Sequence, residues 1–161
     1  MKAQILIIIV SALIGAGACG QSTNHSPLPE YLSAYMQLKD ALYYEDVSKV
    51  KEAATDLKIK IGKAELSDAK RVESINSVLI AIASGNDLEE QRKSFAKLSQ
   101  YMITEVENSS LISITLYSDF CPMARDGKGA YWLSTEKAIN NNPYMGPKMP
   151  HCGSVDQKIS K

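Results

Sequence analysis

Four consecutive stretches with apolar residues at spacings of three and four constrain the fold most strongly. Such spacings predict amphipathic helices, because 3.6 residues per turn place these positions on one face. The stretches span residues 28–44, 46–62, 67–85 and 87–106. Their connections are short, which favours antiparallel neighbours. We therefore predict a mainly α fold built on an up-down four-helix bundle.

Polar residues and glycines predict where these helices begin and end. Asp46 is suited to cap the N-terminus of the second helix, and Asp87 does the same for the fourth. Glu90 follows Asp87 by three residues, which is a capping-box spacing. Gly62 and Gly85 indicate the ends of the second and third helices.

The N-terminus predicts export from the cytoplasm. Lys2 precedes an apolar run over residues 5–14, and small residues lead to Cys19. This is the pattern of a signal peptide over residues 1–18, since spanning a bilayer needs roughly 20 apolar residues. The run Ala16–Cys19 also resembles a bacterial lipobox, which implies a lipidated Cys19 as the new N-terminus. The alternative is ordinary cleavage before Cys19 without lipid.

The chain beyond Cys19 divides into a polar tether and one domain. Residues 19–29 are rich in Ser, Thr, Asn and Pro, so we expect a flexible tether that holds the domain at a membrane. Residues 30–161 are of single-domain size. The chain has 18 basic and 18 acidic residues, and this balance gives no support for nucleic-acid binding, which requires a basic surface. We expect a periplasm-facing envelope protein.

The last third of the chain differs from the helical part. Residues 111–117 alternate apolar residues with Ser and Thr, which predicts a short strand. From Phe120 onward Gly, Pro and Asn are frequent and helical periodicity is lost. Irregular segments of this length inside a compact domain are often functional. We expect residues 117–155 to form an irregular segment that binds a metal ion.

Two groups of sulfur residues bracket this segment. Cys121 and Met123 form the first group, and Met149, His151 and Cys152 form the second. Thiolate, thioether and imidazole are soft ligands that select Cu(I), with Zn(II) possible through thiolate and imidazole. The alternative is a disulfide between Cys121 and Cys152, which closes a loop of about 30 residues and would stabilise by roughly 3–4 kcal/mol. Both states can exist in one protein, with metal bound after reduction.

These motifs resemble an uncharacterised secreted domain of Gram-negative envelopes. That domain is found alone or attached to the membrane-fusion adaptors of copper and heavy-metal efflux systems. The residues that carry the resemblance are Tyr31, Leu32, Leu38–Leu42, Asp46, Ala53, Ala54, Leu57, Gln91, Arg92, Phe95, Leu98, Ser99, Cys121–Ala124, Gly129–Ser134, Asn142–Tyr144, Gly146, Met149, Cys152 and Gly153. The resemblance implies a helical domain with a copper-associated tail and an efflux adaptor as partner.

We therefore predict a lipoprotein that binds copper in metal homeostasis or efflux. The alternative is a disulfide-stabilised interaction module that presents Tyr131, Tyr144 and Met145 to a protein partner. We expect no enzymatic activity, because a Cys121–His151 nucleophile and base pair would lack an orienting third group and an oxyanion hole.

Overall fold

The computed structural model describes residues 28–66, 68–110 and 112–160. The predictions for the signal peptide, the lipidated Cys19 and the tether up to residue 27 lie outside this range. The mainly helical fold is confirmed. Its four long helices are α1 (Glu30–Tyr43), α2 (Val47–Lys63), α3 (Ala69–Ser84) and α4 (Leu88–Asn108).

Aspartates cap three of these helices. The Asp46 side chain accepts a hydrogen bond from the Lys49 amide at 3.0 Å, and Asp68 caps α3 in the same way. Asp87 accepts from the Glu90 amide at 2.9 Å. The Glu90 carboxylate accepts from the amide of Asn86, one residue earlier than a standard capping box. These contacts satisfy backbone donors that have no partner within a helix.

The helices pack in sequence order, each against the next. The first and last helices meet inside the core through Tyr35. Its ring stacks on Phe95 with ring centres 5.3 Å apart, and its hydroxyl lies 2.7 Å from the Ser99 hydroxyl. Tyr35, Phe95 and Ser99 are fully buried, so this contact fixes α1 against α4.

The C-terminal segment contains more regular structure than its composition predicts. It forms the strands β1 (Leu116–Cys121), β2 (Ala130–Ser134) and β3 (Ser154–Ile159). They pair antiparallel in the order β2–β1–β3. The strand expected over residues 111–117 is thus misplaced, since β1 begins only at Leu116. The sequence predicted one short strand, and the structure adds two more that pair with it.

The sheet packs on the bundle through β2. The Leu133 amide donates to the Tyr35 hydroxyl at 3.1 Å, and Trp132 is fully buried. Trp132 meets the Tyr144 ring edge-on, with centres 5.9 Å apart, and Tyr144 in turn contacts Phe95. One aromatic cluster therefore belongs to both the bundle and the C-terminal segment.

The two ends of the domain have different neighbours. Pro29 shares a cavity with Ser109 and Ile112, next to the end of α4. Met123 and Tyr144 share another with residues at the start of α4, at the opposite end. The 21 residues of α4 separate these ends by about 30 Å. Within the described residues, the helices are too short or too polar to cross a membrane.

Candidate functional site

Cys121 and Cys152 lie in contact at the end of the central strand. Their Sγ atoms are 3.1 Å apart, and both are free thiols. Cys121 is the last residue of β1 and is fully buried, whereas Cys152 lies just before β3 and is partly exposed. The two sulfur groups that are remote in sequence thus meet through their cysteines.

Gly153 allows this approach. Its φ of +125° lies in a region that residues with a side chain rarely adopt. A Cβ atom at this position would collide with the carbonyl oxygen of Phe120, the residue before Cys121. A glycine next to Cys152 therefore lets the backbone before β3 lie directly against β1.

Asn142 holds the segment that carries Cys152. Its side-chain amide donates to the Cys152 carbonyl at 2.7 Å. Its side-chain oxygen accepts from the amides of Tyr144 and Met145, at 2.8 and 3.2 Å. Asn142 is fully buried, so these hydrogen bonds are shielded from water. The Asn-Pro-Tyr run is visible in the sequence, but the sequence does not indicate that it positions a cysteine.

The contact between the thiols affects their protonation. The hydrogen bond with Cys121 raises the pKa of the Cys152 thiol, and burial raises it further. Only a thiolate is a strong metal ligand, so a metal ion bound at this pair has to displace protons.

The other predicted ligands lie on the surface. Met123 is 54% exposed and Met149 is 39% exposed. The Met149 carbonyl accepts a hydrogen bond from the Cys152 amide at 3.2 Å, which places both residues in one turn. The Nδ1 atom of His151 lies 2.9 Å from the Ile139 carbonyl oxygen. In the part of the chain that the structure describes, no three His, Cys, Asp or Glu residues gather as a metal site.

A buried carboxyl lies two residues before Cys121. Asp119 is fully buried, and its two carboxylate oxygens have no hydrogen-bond partner among the described residues. Trp132 is its neighbour across β1 and β2, and the indole nitrogen is likewise unpaired within this range. Burial raises the pKa of Asp119 to about 6, although Ser134 and Lys39 lower it in part and Glu136 adds to the rise. Nothing in the sequence pattern indicates that this carboxyl is buried.

Arg92 ties the C-terminal segment to the helices. Its guanidinium donates to the carbonyls of Pro143 and Leu42 at 2.8 and 3.2 Å, and it forms an ion pair with Glu45 at 3.1 Å. Gly146 fits against Glu45, where a side chain would be too close to the carboxylate.

The residues proposed for a protein-interaction surface are only partly accessible. Tyr144 is buried, and its hydroxyl donates to the Tyr131 carbonyl at 2.7 Å. Tyr131 and Met145 are half-buried. Tyr144 is therefore a core residue and is not available to a partner.

The helical part of the chain matches a known family model. A family model described as a protein of unknown function (DUF3347) matches residues 31–113. This range includes nearly all of the four helices and ends before β1, so Cys121 and Cys152 lie beyond it. No curated protein and no solved structure matches the chain.

Proposed function

The chain belongs to the DUF3347 family, whose function is unknown, and from the geometry of its cysteine pair we propose that it binds Cu(I) in the cell envelope. The contact between Cys121 and Cys152 carries this proposal. Two thiolates on neighbouring segments can hold one soft ion between them, because Cu(I) accepts as few as two sulfur ligands. Cys152 is partly exposed and gives the ion access, whereas the buried Cys121 retains it.

The ligands around the pair favour copper over zinc. A structural zinc site is closed by four nitrogen, sulfur or oxygen ligands. Beside the two thiols, the described residues supply no third His, Cys, Asp or Glu. The exposed thioethers of Met123 and Met149 are close in sequence to the two cysteines, and thioethers bind Cu(I) much better than Zn(II).

A titration of the fully reduced protein with Cu(I), without oxygen, tests this function. We expect Cys121→Ser and Cys152→Ser each to weaken binding at least 100-fold, since each removes one of two thiolates. Met149→Leu should weaken it several-fold. Met36→Leu on α1 is the matched control, because it removes a thioether remote from both cysteines in sequence. Binding of unchanged affinity in both serine variants would rule out the site.

A second candidate rests on the same contact. The thiols are close enough that a disulfide could form with little backbone movement, and it would fix the segment before β3 to the sheet. The protein would then be a disulfide-stabilised interaction module without metal. Counting free thiols in protein isolated without reductant separates the two. A Cys121–Cys152 disulfide that resists mild reductant and prevents copper binding would favour the interaction module.

The proposed setting is a membrane-anchored lipoprotein that passes copper to the membrane-fusion protein of a metal-efflux system. The N-terminal signal pattern and the position of Cys19 support the anchor. Incorporation of labelled fatty acid into the wild-type chain, and its loss in Cys19→Ser, tests lipidation. Cross-linking in cells grown with copper tests the partner. A Cys19→Ser chain that still takes up label contradicts the anchor at this residue.

A further inference from the structure

The two cysteine sulfurs lie close enough together to form a disulfide as well as to bind a metal ion. Cys121 and Cys152 are free cysteines whose Sγ atoms are 3.1 Å apart, whereas a disulfide bond needs about 2.05 Å. Asn142 and Gly153 already hold the two segments together. Oxidation to a disulfide therefore requires the sulfurs to approach by only about 1 Å.

Cu(II) meets a different environment here than Cu(I) does. Cu(II) prefers a tetragonal set of nitrogen and oxygen ligands. Among the described residues, no three His, Cys, Asp or Glu side chains gather into such a set, and the Nδ1 atom of His151 lies against the Ile139 carbonyl oxygen. Of the carboxyls close to the pair in sequence, Asp119 is fully buried, whereas Asp126 and Asp156 are exposed. A Cu(II) ion that reaches Cys152 thus finds an electron donor but no set of ligands that stabilises the oxidised ion.

We infer that the Cys121–Cys152 dithiol reduces Cu(II) to Cu(I) and becomes an intramolecular disulfide. The two thiols lose two protons to water and two electrons to two Cu(II) ions, and one sulfur–sulfur bond forms. The products are two Cu(I) ions, one disulfide and two protons. Each chain carries out this reaction once, until a dithiol from another protein reduces the disulfide again.

The inference rests on the proposed function, because it concerns the same cysteines and the same metal. Once the disulfide has formed, neither sulfur is a thiolate ligand. The exposed thioethers of Met123 and Met149 are then the soft ligands left to hold the product. Reduction would thus convert copper to the oxidation state that thioethers select.

The difference in exposure makes the reaction directional. Cu(II) first binds and oxidises the partly exposed Cys152. The buried Cys121 sulfur then bonds to the Cys152 sulfur and gives up the second electron. The two single serine variants should therefore behave differently. Cys121→Ser leaves a lone accessible thiol, whereas Cys152→Ser leaves a lone buried one.

The experiment adds CuSO4 to the reduced full chain without oxygen, then removes unreacted Cu(II) with EDTA. A chelator specific for Cu(I) measures the product, and intact mass measures the disulfide. We expect two Cu(I) per chain, a mass loss of two hydrogens and a monomeric product. Cys121→Ser should react at least 10-fold more slowly and give dimers linked through Cys152. Cys152→Ser should give little Cu(I) and no dimers.

Three results would overturn the inference: thiols that stay intact with Cu(II), a wild-type product linked between chains, or a Cys152→Ser variant that reacts like the wild type. Loss of helical circular dichroism on reduction, before copper is added, also contradicts it, because the pair is then a structural disulfide. The Cu(I) titration is read separately. A chain that binds Cu(I) tightly but leaves Cu(II) unreduced keeps the proposed function and loses this inference.

Discussion

The Asn142 side-chain amide donates to the carbonyl oxygen of Cys152 at 2.7 Å, and this hydrogen bond connects a buried asparagine to the exposed half of the cysteine pair. Asn142 also accepts from two backbone amides and is fully buried. Its position therefore fixes the loop that brings one thiol to the other.

Asn142→Ala should lower the free energy of unfolding by about 2–4 kcal/mol, because it leaves up to three backbone groups without a buried partner. The loop before β3 should also become mobile, so that Cu(I) affinity falls together with stability. Urea unfolding and Cu(I) titration measure the two effects. Asn140→Ala is the control, because this half-buried side chain donates only to the Glu136 carboxylate near the surface, and it should cost no more than about 1 kcal/mol. Equal stabilities of the two variants would contradict the role of Asn142.

Gly153→Ala should destabilise the fold by at least about 3 kcal/mol, since the added Cβ combines an unfavourable positive φ with a collision against the Phe120 carbonyl. The distance between the thiols should increase as well, which slows formation of the disulfide. Gly62→Ala near the end of α2 is the matched control, because a Cβ there meets no atom within 4 Å. It should be neutral or stabilise by up to about 1 kcal/mol. Thermal unfolding of both variants provides the comparison.

Tyr35→Phe should cost about 2 kcal/mol, because the hydroxyl accepts from the Leu133 amide and bonds to Ser99 in the core. Its loss leaves a strand amide buried without a partner. Hydrogen exchange should show faster opening of β2 than of α2. Tyr44→Phe removes a hydroxyl from a side chain that is 67% exposed and should change stability by less than about 0.5 kcal/mol. Uniform protection in Tyr35→Phe would show that this hydroxyl does not couple the sheet to the bundle.

Asp119 should make the metal-free protein less stable as the pH rises. Its folded-state pKa is raised from 3.8 to about 6, so the folded state holds the proton more tightly than the unfolded state does. The favourable contribution is complete below about pH 4 and is lost as the pH rises to about 6, by about 2–3 kcal/mol in total. Asp119→Asn should not show this loss of stability, because an asparagine side chain does not titrate.

Urea unfolding of the wild type and Asp119→Asn between pH 4 and 7 measures this difference. The pKa values of Glu30 and Asp46 are lowered, the first by Lys60 and the second by the Lys49 amide. Their effect on stability has the opposite sign, but it is common to both proteins and cancels in the difference. A difference that stays constant over this pH range would show that Asp119 does not titrate as its burial indicates.

The helices were predictable because their signals are local. Apolar spacing within each helix and a capping aspartate such as Asp46 or Asp87 depend on neighbours three or four residues away. The sheet was not predictable in this way. In β3 only Ile159 is buried, so the strand has no apolar alternation, and its pairing with β1 joins residues far apart in sequence.

The candidate site was predictable in composition but only partly in geometry. The two cysteines stood out by residue type. Both a shared metal site and a disulfide required them to lie close together, so their proximity was expected. The roles of Asn142 and Gly153 depend on contacts with Cys152 and Phe120 in three dimensions. The burial of Asp119 was not predictable, because a carboxyl in a strand is normally expected to face solvent.

The position of the thiols relative to Pro29 has a consequence for the proposed anchor. Pro29 lies near the end of α4 and Met123 near its start, and α4 itself is about 30 Å long. In a chain anchored by lipid at Cys19, the long axis of the domain would separate the bilayer from the copper ion proposed at the cysteine pair. In that arrangement the proposed tether would set where the domain can move, and the domain would set how far above the lipid surface it reaches. An acceptor protein whose copper-binding residues lie at that height above the membrane could receive the ion without moving.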